Sequence, residues 1–391
     1  AVTAAACASN PDTNSNHTYS LKSPSDLTTL SSSNVIEGNL NIIDSSLSNL
    51  NGLSNIREIH GNLNIARNQE LTDIQGLSGL EIIRGDLVIS LNEALETFSA
   101  LGNLRVIEGH ILIIENDELV SIQGLSRLEA IGGSVKVHLN PKLTQLPSLQ
   151  SLNTLSGSLE VIGNPSLISM LDLPQLEMLR ELSIEGNTKL ETLSGLRSIT
   201  RITGDFEIWG NNSLVTLAGL EALTFVGGEL HVAYNEMLRS LSALESLQVI
   251  GTDFTVMSCP NLKMVDGMDQ LETIKGSLSF FENTGLETIQ GLSALQEIGA
   301  NLNIFNHANL VLVAGFENVH YIGQGLGIRD NTQLSELEMF KSSVTIGQSI
   351  VDISANSELS DCTIQDLIKR LDLDASNQSI ITEDNSTQIC Q

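Results

Sequence analysis

Two acidic residues one repeat apart, Glu93 and Asp117, are the first candidates for chemistry in this chain of 391 residues. On adjacent coils of a stacked structure they would stand about 5 Å apart, a spacing that suits a retaining acid–nucleophile pair or a weak calcium site. A chain with 47 Asp and Glu places some acids in neighbouring coils by chance, and such acids are usually solvated. The seven histidines, His17, His60, His110, His138, His231, His307 and His320, fall in no H-x-x-x-H pair. The four cysteines make no tight C-x-x-C pair for zinc. The glycines of Gly323-Gln-Gly-Leu-Gly327 lack the spacing of a dinucleotide loop, and no G-x-S-x-G elbow occurs. The expectation is a chain without enzymatic activity, resident metal or cofactor.

The remaining chemistry is covalent bookkeeping of an exported protein. Ala1-Val-Thr-Ala-Ala-Ala-Cys7 reads as the processed start of a secretory precursor, placing the chain outside the cell or on its surface. Cys362 and Cys390 bracket a segment near the C-terminus, and a disulfide closing it would contribute roughly 3 to 4 kcal/mol. Cys7 is left for an intermolecular bond. N-x-S/T sequons occur at Asn16, Asn211, Asn377 and Asn385. Asn16, Asn377 and Asn385 are the expected glycan acceptors, whereas Asn211 coincides with an inward position of the repeat described next.

Positioning any of these groups is the task of a repeat. Gly61-Asn-Leu-Asn-Ile65, Gly85-Asp-Leu-Val-Ile89, Gly109-His-Ile-Leu-Ile113 and Gly133-Ser-Val-Lys-Val137 superpose with a period of 24. Their leading apolar residues extend to a series of fourteen: Leu40, Leu63, Leu87, Ile111, Val135, Leu159, Leu182, Phe206, Leu230, Phe254, Leu278, Leu302, Leu326 and Val351. One coil cannot bury its apolar face, but a stack can. Five residues after each leader stands a polar residue, almost always Asn: Asn68, Asn92, Asn116, Asn140, Asn164, Asn187, Asn211, Asn235, Asn283, Asn331 and Asn356. Such a column predicts a buried asparagine ladder, because an amide supplies two donors and an acceptor at each bend. Ser45, Cys259 and His307 are its exceptions, with Cys259 expected as a buried free thiol.

The alternation of a strand sends leader positions 0 and 2 inward and positions 1 and 3 outward. Position 3 collects Trp209, Met257, Phe281 and Phe305 between the eighth and twelfth turns, with Tyr234 one place along. An apolar stripe of this kind usually marks an interface.

The segment Ser23-Pro-Ser-Asp-Leu-Thr-Thr-Leu30, then Val35-Ile-Glu-Gly-Asn-Leu-Asn-Ile42 and the recurring G-x-L-x-I-x-x-N-x-x-L, resembles the receptor L-domain family. That family includes the ligand-binding L domains of insulin-receptor and EGF-receptor ectodomains, fungal cell-wall glycoproteins and microbial surface proteins. The resemblance covers roughly residues 20 to 391 and implies a right-handed parallel β-solenoid with an N-terminal capping helix. The chain departs from the receptors in having Asn34 where they usually carry a cysteine, and in lacking their cysteine-rich modules and kinase. A free-standing surface protein is the nearer expectation.

The expected architecture is therefore all-β: a polar arm over 1–19, a helical cap over 20–33, about fourteen turns of solenoid over 34–360, and a helical, disulfide-closed cap over 361–391. Within the last, the apolar spacing predicts a helix over Thr363–Leu371. A formal net charge of −28 opposes binding to nucleic acid or an anionic membrane, and an aromatic content of 3% leaves the core to Leu, Ile and Val. No apolar run reaches the length of a membrane helix. The reading is a structural or adhesive extracellular protein that self-associates through the apolar face and the arm. The alternative is a peptide- or glycan-binding module, and a polysaccharide-active β-solenoid is a more distant third.

Overall fold

The computed structural model describes residues 17–348, 350–373 and 379–386. Along the main column, position 0 and position 2 of each turn are buried, while position 1 except at Ser279 and Gly327, and position 3 except at Ala66 and Ala233, keep some exposure. In turn three, for example, Leu87 and Ile89 are fully buried and Val88 and Ser90 are not. Strict alternation allows one register only, because a one-residue slip would turn every Leu and Ile outward. The fourteen main strands pair parallel with their sequence neighbours in that register, as in Leu87↔Ile111 and Phe206↔Leu230.

The main sheet has sixteen strands, two more than the repeat announces. Thr18–Ser20 pairs with Asn39–Asn41 ahead of turn one, inside what the sequence reads as a structureless arm. Ser379–Ile381 pairs with Ile350–Asp352 after turn fourteen. Neither short segment carries a periodic apolar pattern, so their strand character comes from the open edge they cover.

Each turn is closed by a short second strand, such as Ile82–Ile83 or Val226 with Phe225. These build two further parallel sheets, of six strands up to Thr154–Leu155 and nine from Met178–Leu179 onward. The third wall starts as bridges and 3-10 turns such as Gln75–Leu77. It becomes a four-stranded sheet from Met264–Val265 to Glu336–Glu338. Leu, Ile and Val from all walls fill one continuous core along the stack.

Both ends carry helices. Helix α1, Pro24–Leu30, starts on Ser23, whose backbone N–H donates to Asp26 Oδ2 at 2.9 Å, and it buries Leu27 and Leu30. Helix α2, Asp361–Ile368, starts earlier than the apolar spacing predicts because Ser360 caps it, its Oγ accepting from Thr363 N–H. It also stops earlier. Leu371 belongs to a two-residue strand paired with Val344, so its helix-like spacing from Ile368 reflects common burial and not a common helix.

Candidate interaction face

The geometry of every turn is set at the corner that follows its main strand. In all fourteen turns the residue at position 4 has a left-handed backbone, with φ between 50° and 67°. Gly163, Gly186 and Gly210 fill it in turns six to eight, and residues such as Leu91, Leu139 and Tyr234 fill it elsewhere. This corner turns the next peptide so that the following Asn directs its N–H along the stack.

Each ladder residue then bonds in a fixed pattern. Asn116 N–H donates to Asn140 Oδ1 at 3.1 Å, and Asn116 Nδ2 donates to the carbonyl of Ile89, in the strand of the preceding turn, at 3.0 Å. Asn68, Asn92, Asn140, Asn164, Asn187, Asn211, Asn235, Asn283, Asn331 and Asn356 are likewise fully buried. His307 reproduces the amide with its ring: Nδ1 accepts from Asn283 N–H at 3.2 Å and Nε2 faces the Phe280 carbonyl at 3.2 Å. Burial brings its pKa down to about 4. Cys259 is free and buried, and burial pushes its thiol up to about 11. Its N–H still reaches Asn283 Oδ1 at 2.9 Å, so the column continues through it.

One further rung and one further polar column escape the sequence reading. Asn385 acts as a further rung, accepting from Asn356 N–H at 3.0 Å and donating from Nδ2 to Ile353 O at 2.6 Å. This corrects the expectation that Asn385 is a free glycan acceptor, since a sugar on Nδ2 would displace part of that bonding. The 29 residues separating it from Asn356 hide it from the period. The second column sits just before each leader. Asn39 Oδ1 accepts from Asn62 N–H, Asn62 Oδ1 from Asp86 N–H, and Asp86 Oδ1 from His110 N–H, each at 2.8 Å. Its signal was the Asn, Asp, His or Ser that follows the repeat glycine.

The acids proposed for chemistry do not assemble a centre. Glu93 and Asp117 line one open groove of about 1010 Å³ along turns one to six, together with Asp44, Arg67 and Glu115. Arg67 pairs with Asp44 at 2.8 Å, and Gln69 Nε2 donates to Glu93 at 3.4 Å. Among the described residues no group of three or more His, Cys, Asp or Glu is placed to hold a metal ion, whereas calcium takes six to eight oxygens. Cys362 is engaged, while Cys390, Cys7, Asn16 and Asn377 lie outside the described residues.

The outward face of the main sheet is chemically richer. Trp209 and Tyr234 are each 43% exposed and meet edge to face, their ring centroids 5.5 Å apart. Further along the column Met257, Phe281 and Phe305 are only half-buried. Phe281 and Phe305 shield each other at 5.4 Å, and the Arg329 guanidinium lies over Phe305 at 4.2 Å while pairing with Asp352 at 3.3 Å. Fully buried Ala233 stands between Trp209 and Met257, dividing the stripe in two.

Carboxylates surround the Trp209 end. Glu185 is the direct strand partner of Trp209, and Glu207 lies two residues before it. Burial, a hydrogen bond with Glu185 and the charges of Glu185, Glu229 and Asp205 push Glu207 up to about 7. Glu160, two turns earlier, behaves oppositely. Against the cost of burial, bonds from His138, Lys136 and Ser158 bring it down to about 2.

In class, the molecule is a parallel β-solenoid with a polar ladder at its main corner. The family model for the receptor L domain matches residues 33–95 and 81–179, in the N-terminal part of the stack. No curated protein sequence matches the chain. Among solved structures, a leucine-rich-repeat protein of Leptospira interrogans is similar at 15% identity and a TM-score of 0.34, covering 92% of this chain and 99% of its own. An internalin of Listeria monocytogenes is similar at 14% identity and a TM-score of 0.30, covering 93% and 89%. Both similarities are distant, and nothing about function is taken from them.

Proposed function

We propose that this chain is an extracellular, non-enzymatic surface protein that presents the outward face of its main sheet to a partner. The observation that carries the reading is the exposed Trp209–Tyr234 pair on a sheet whose other outward positions are mostly polar or packed. The receptor L-domain match over residues 33–179 supports a binding or surface role. The three aromatic or thioether side chains beyond Ala233 favour a second reading, in which a further copy of the chain covers the face. Burial of a large apolar side chain is worth about 1.5 to 3 kcal/mol, enough for several together to support association.

Oxidative footprinting of the protein in the medium or on the surface of its source cells tests the first reading. Trp209, Tyr234 and Met257 should label more slowly there than in the purified chain, and equal rates in both settings would remove it. Sedimentation over a range of concentration and salt tests the second. Self-association that weakens in the Phe281→Glu, Phe305→Glu double variant supports it, and a parent that stays monomeric throughout rejects it.

A further inference from the structure

The column that contains Trp209 shows, a few turns on, what it does with a cation. At Phe305 the next turn supplies Arg329, whose guanidinium lies 4.2 Å over the ring, and the turn after that supplies Asp352 at 3.3 Å. Aromatic face, guanidinium and carboxylate follow one another along the stack. At Trp209 the same column supplies the aromatic, with the carboxylate of Glu185 on the turn before it, and its next member is Ala233. The cation is missing from the series.

The charge around Trp209 fits that vacancy in the pattern. Glu160 is matched by Lys136 at 3.0 Å, and Glu181 by Arg180 at 3.3 Å. Among the described residues, Glu185, Asp205, Glu207 and Glu229 make no salt bridge. Glu185, Glu207, Trp209 and His231 line one shallow depression. Its exposed indole, with the Tyr234 ring packed edge to face beside it, offers a surface to a cation, and an attraction of about 0.5 to 2 kcal/mol per contact is usual for such pairs. A second copy of this chain carries the same net charge of −28, so its approach to this end of the stripe is opposed.

We propose that the outward face of turns seven to nine, where Trp209 and Tyr234 stand beside Glu185, Glu207 and Glu229, is a docking site for a protein segment that offers Arg or Lys side chains. This deepens the reading that the face holds a partner and rests on it. A guanidinium would lie on Trp209 as Arg329 lies on Phe305, with Glu185 of the turn before and Glu207 of the same turn as its carboxylate partners.

Trp209 is the single tryptophan of the chain, so its fluorescence reports this site and no other. The protein is titrated with capped tetra-arginine, tetra-lysine and tetraglutamate peptides and with cellohexaose, at low and at physiological salt. The expected result is a saturable change with the basic peptides alone. Its affinity should fall at least about tenfold in the Glu185→Gln, Glu207→Gln double variant and stay within about twofold of the parent in the Glu93→Gln, Asp117→Asn double variant, which neutralises as much charge elsewhere. Calorimetry on Trp209→Ala should show the same weakening. Equal loss in the two double variants would reduce the effect to net charge and overturn the proposal. Binding of cellohexaose instead, or burial of Trp209 by a second copy in sedimentation, would overturn it while leaving the reading of the face as a partner surface intact. No response to any probe, together with unchanged footprinting in the native setting, would remove both.

Discussion

His307 shows how narrow the choice of side chain is at a buried rung. Its two ring nitrogens take over the amide's acceptor and donor, but only while the ring is neutral, because protonation of Nδ1 would aim a proton at the Asn283 N–H. The unfolded chain binds that proton near the ordinary histidine value, and the folded chain resists it down to about 4. Its contribution to stability is therefore complete above about pH 6.5 and is lost as the pH falls toward 4. His307→Asn should flatten that slope, raising the melting temperature relative to the parent at pH 5 more than at pH 7.5. Equal differences at both values would mean that the ring is not the group responsible. Glu207 has the opposite sign. Its raised value, about 7, favours the folded state while the carboxyl is protonated, and that advantage is fully present below the unfolded value and lost as the pH rises through 7. Glu207→Gln should melt higher than the parent at pH 8 and about the same at pH 4.5. A variant that gains nothing at pH 8 would show that Glu207 is solvated.

At the scale of the turn, the left-handed corner matters more than any single bond. Gly210 has φ +67°, and a Cβ built there would meet Gly186 Cα at an ordinary 3.7 Å. Gly210→Ala should therefore cost about 1 kcal/mol, through backbone conformation alone. Gly195→Ala should cost considerably more in chemical denaturation, because its Cβ would fall 2.0 Å from the Leu171 carbonyl oxygen. Equal midpoints for the two variants would contradict this account. The corner also marks where sequence reading stops. Leaders and ladder were legible because Leu, Ile and Asn have few substitutes at their positions. The left-handed residue was not, since Asp44, Arg67, Leu91 and Ala355 share no side-chain property and only the backbone unites them. The outward face was legible in part. Trp209 and Met257 could be placed by alternation, but the mutual shielding of Phe281 and Phe305, and the acids around Trp209, depend on which turns are neighbours in space.

For the whole molecule, the order of the strands is the dominant fact. Among the described residues, every strand of the main sheet pairs only with the strands before and after it in that series, so the pairing of the main sheet joins neighbouring turns. Stability in such a stack is close to a sum over adjacent pairs, and its ends are where it opens first. Thr18–Ser20 with α1, and α2 with Ser379–Ile381, are placed at those two ends. Removing residues 379–391 uncovers the edge of Ile350–Ser354 and takes away the rung at Asn385. Hydrogen exchange in that truncated chain should quicken strongly in turns thirteen and fourteen and barely at all in turns three to six. Uniform acceleration along the chain would show that the stack melts as one unit.

The same strand order decides how the molecule answers a mechanical load. Held by its two termini and stretched, it presents its turns in series, and the outermost turn, with a neighbour on one side only, is the first to yield. When that turn peels away it releases about 24 residues, or about 80 Å of slack, before the next turn feels any tension. A stack built this way yields in small, nearly equal instalments under a pull and winds back one coil at a time when released.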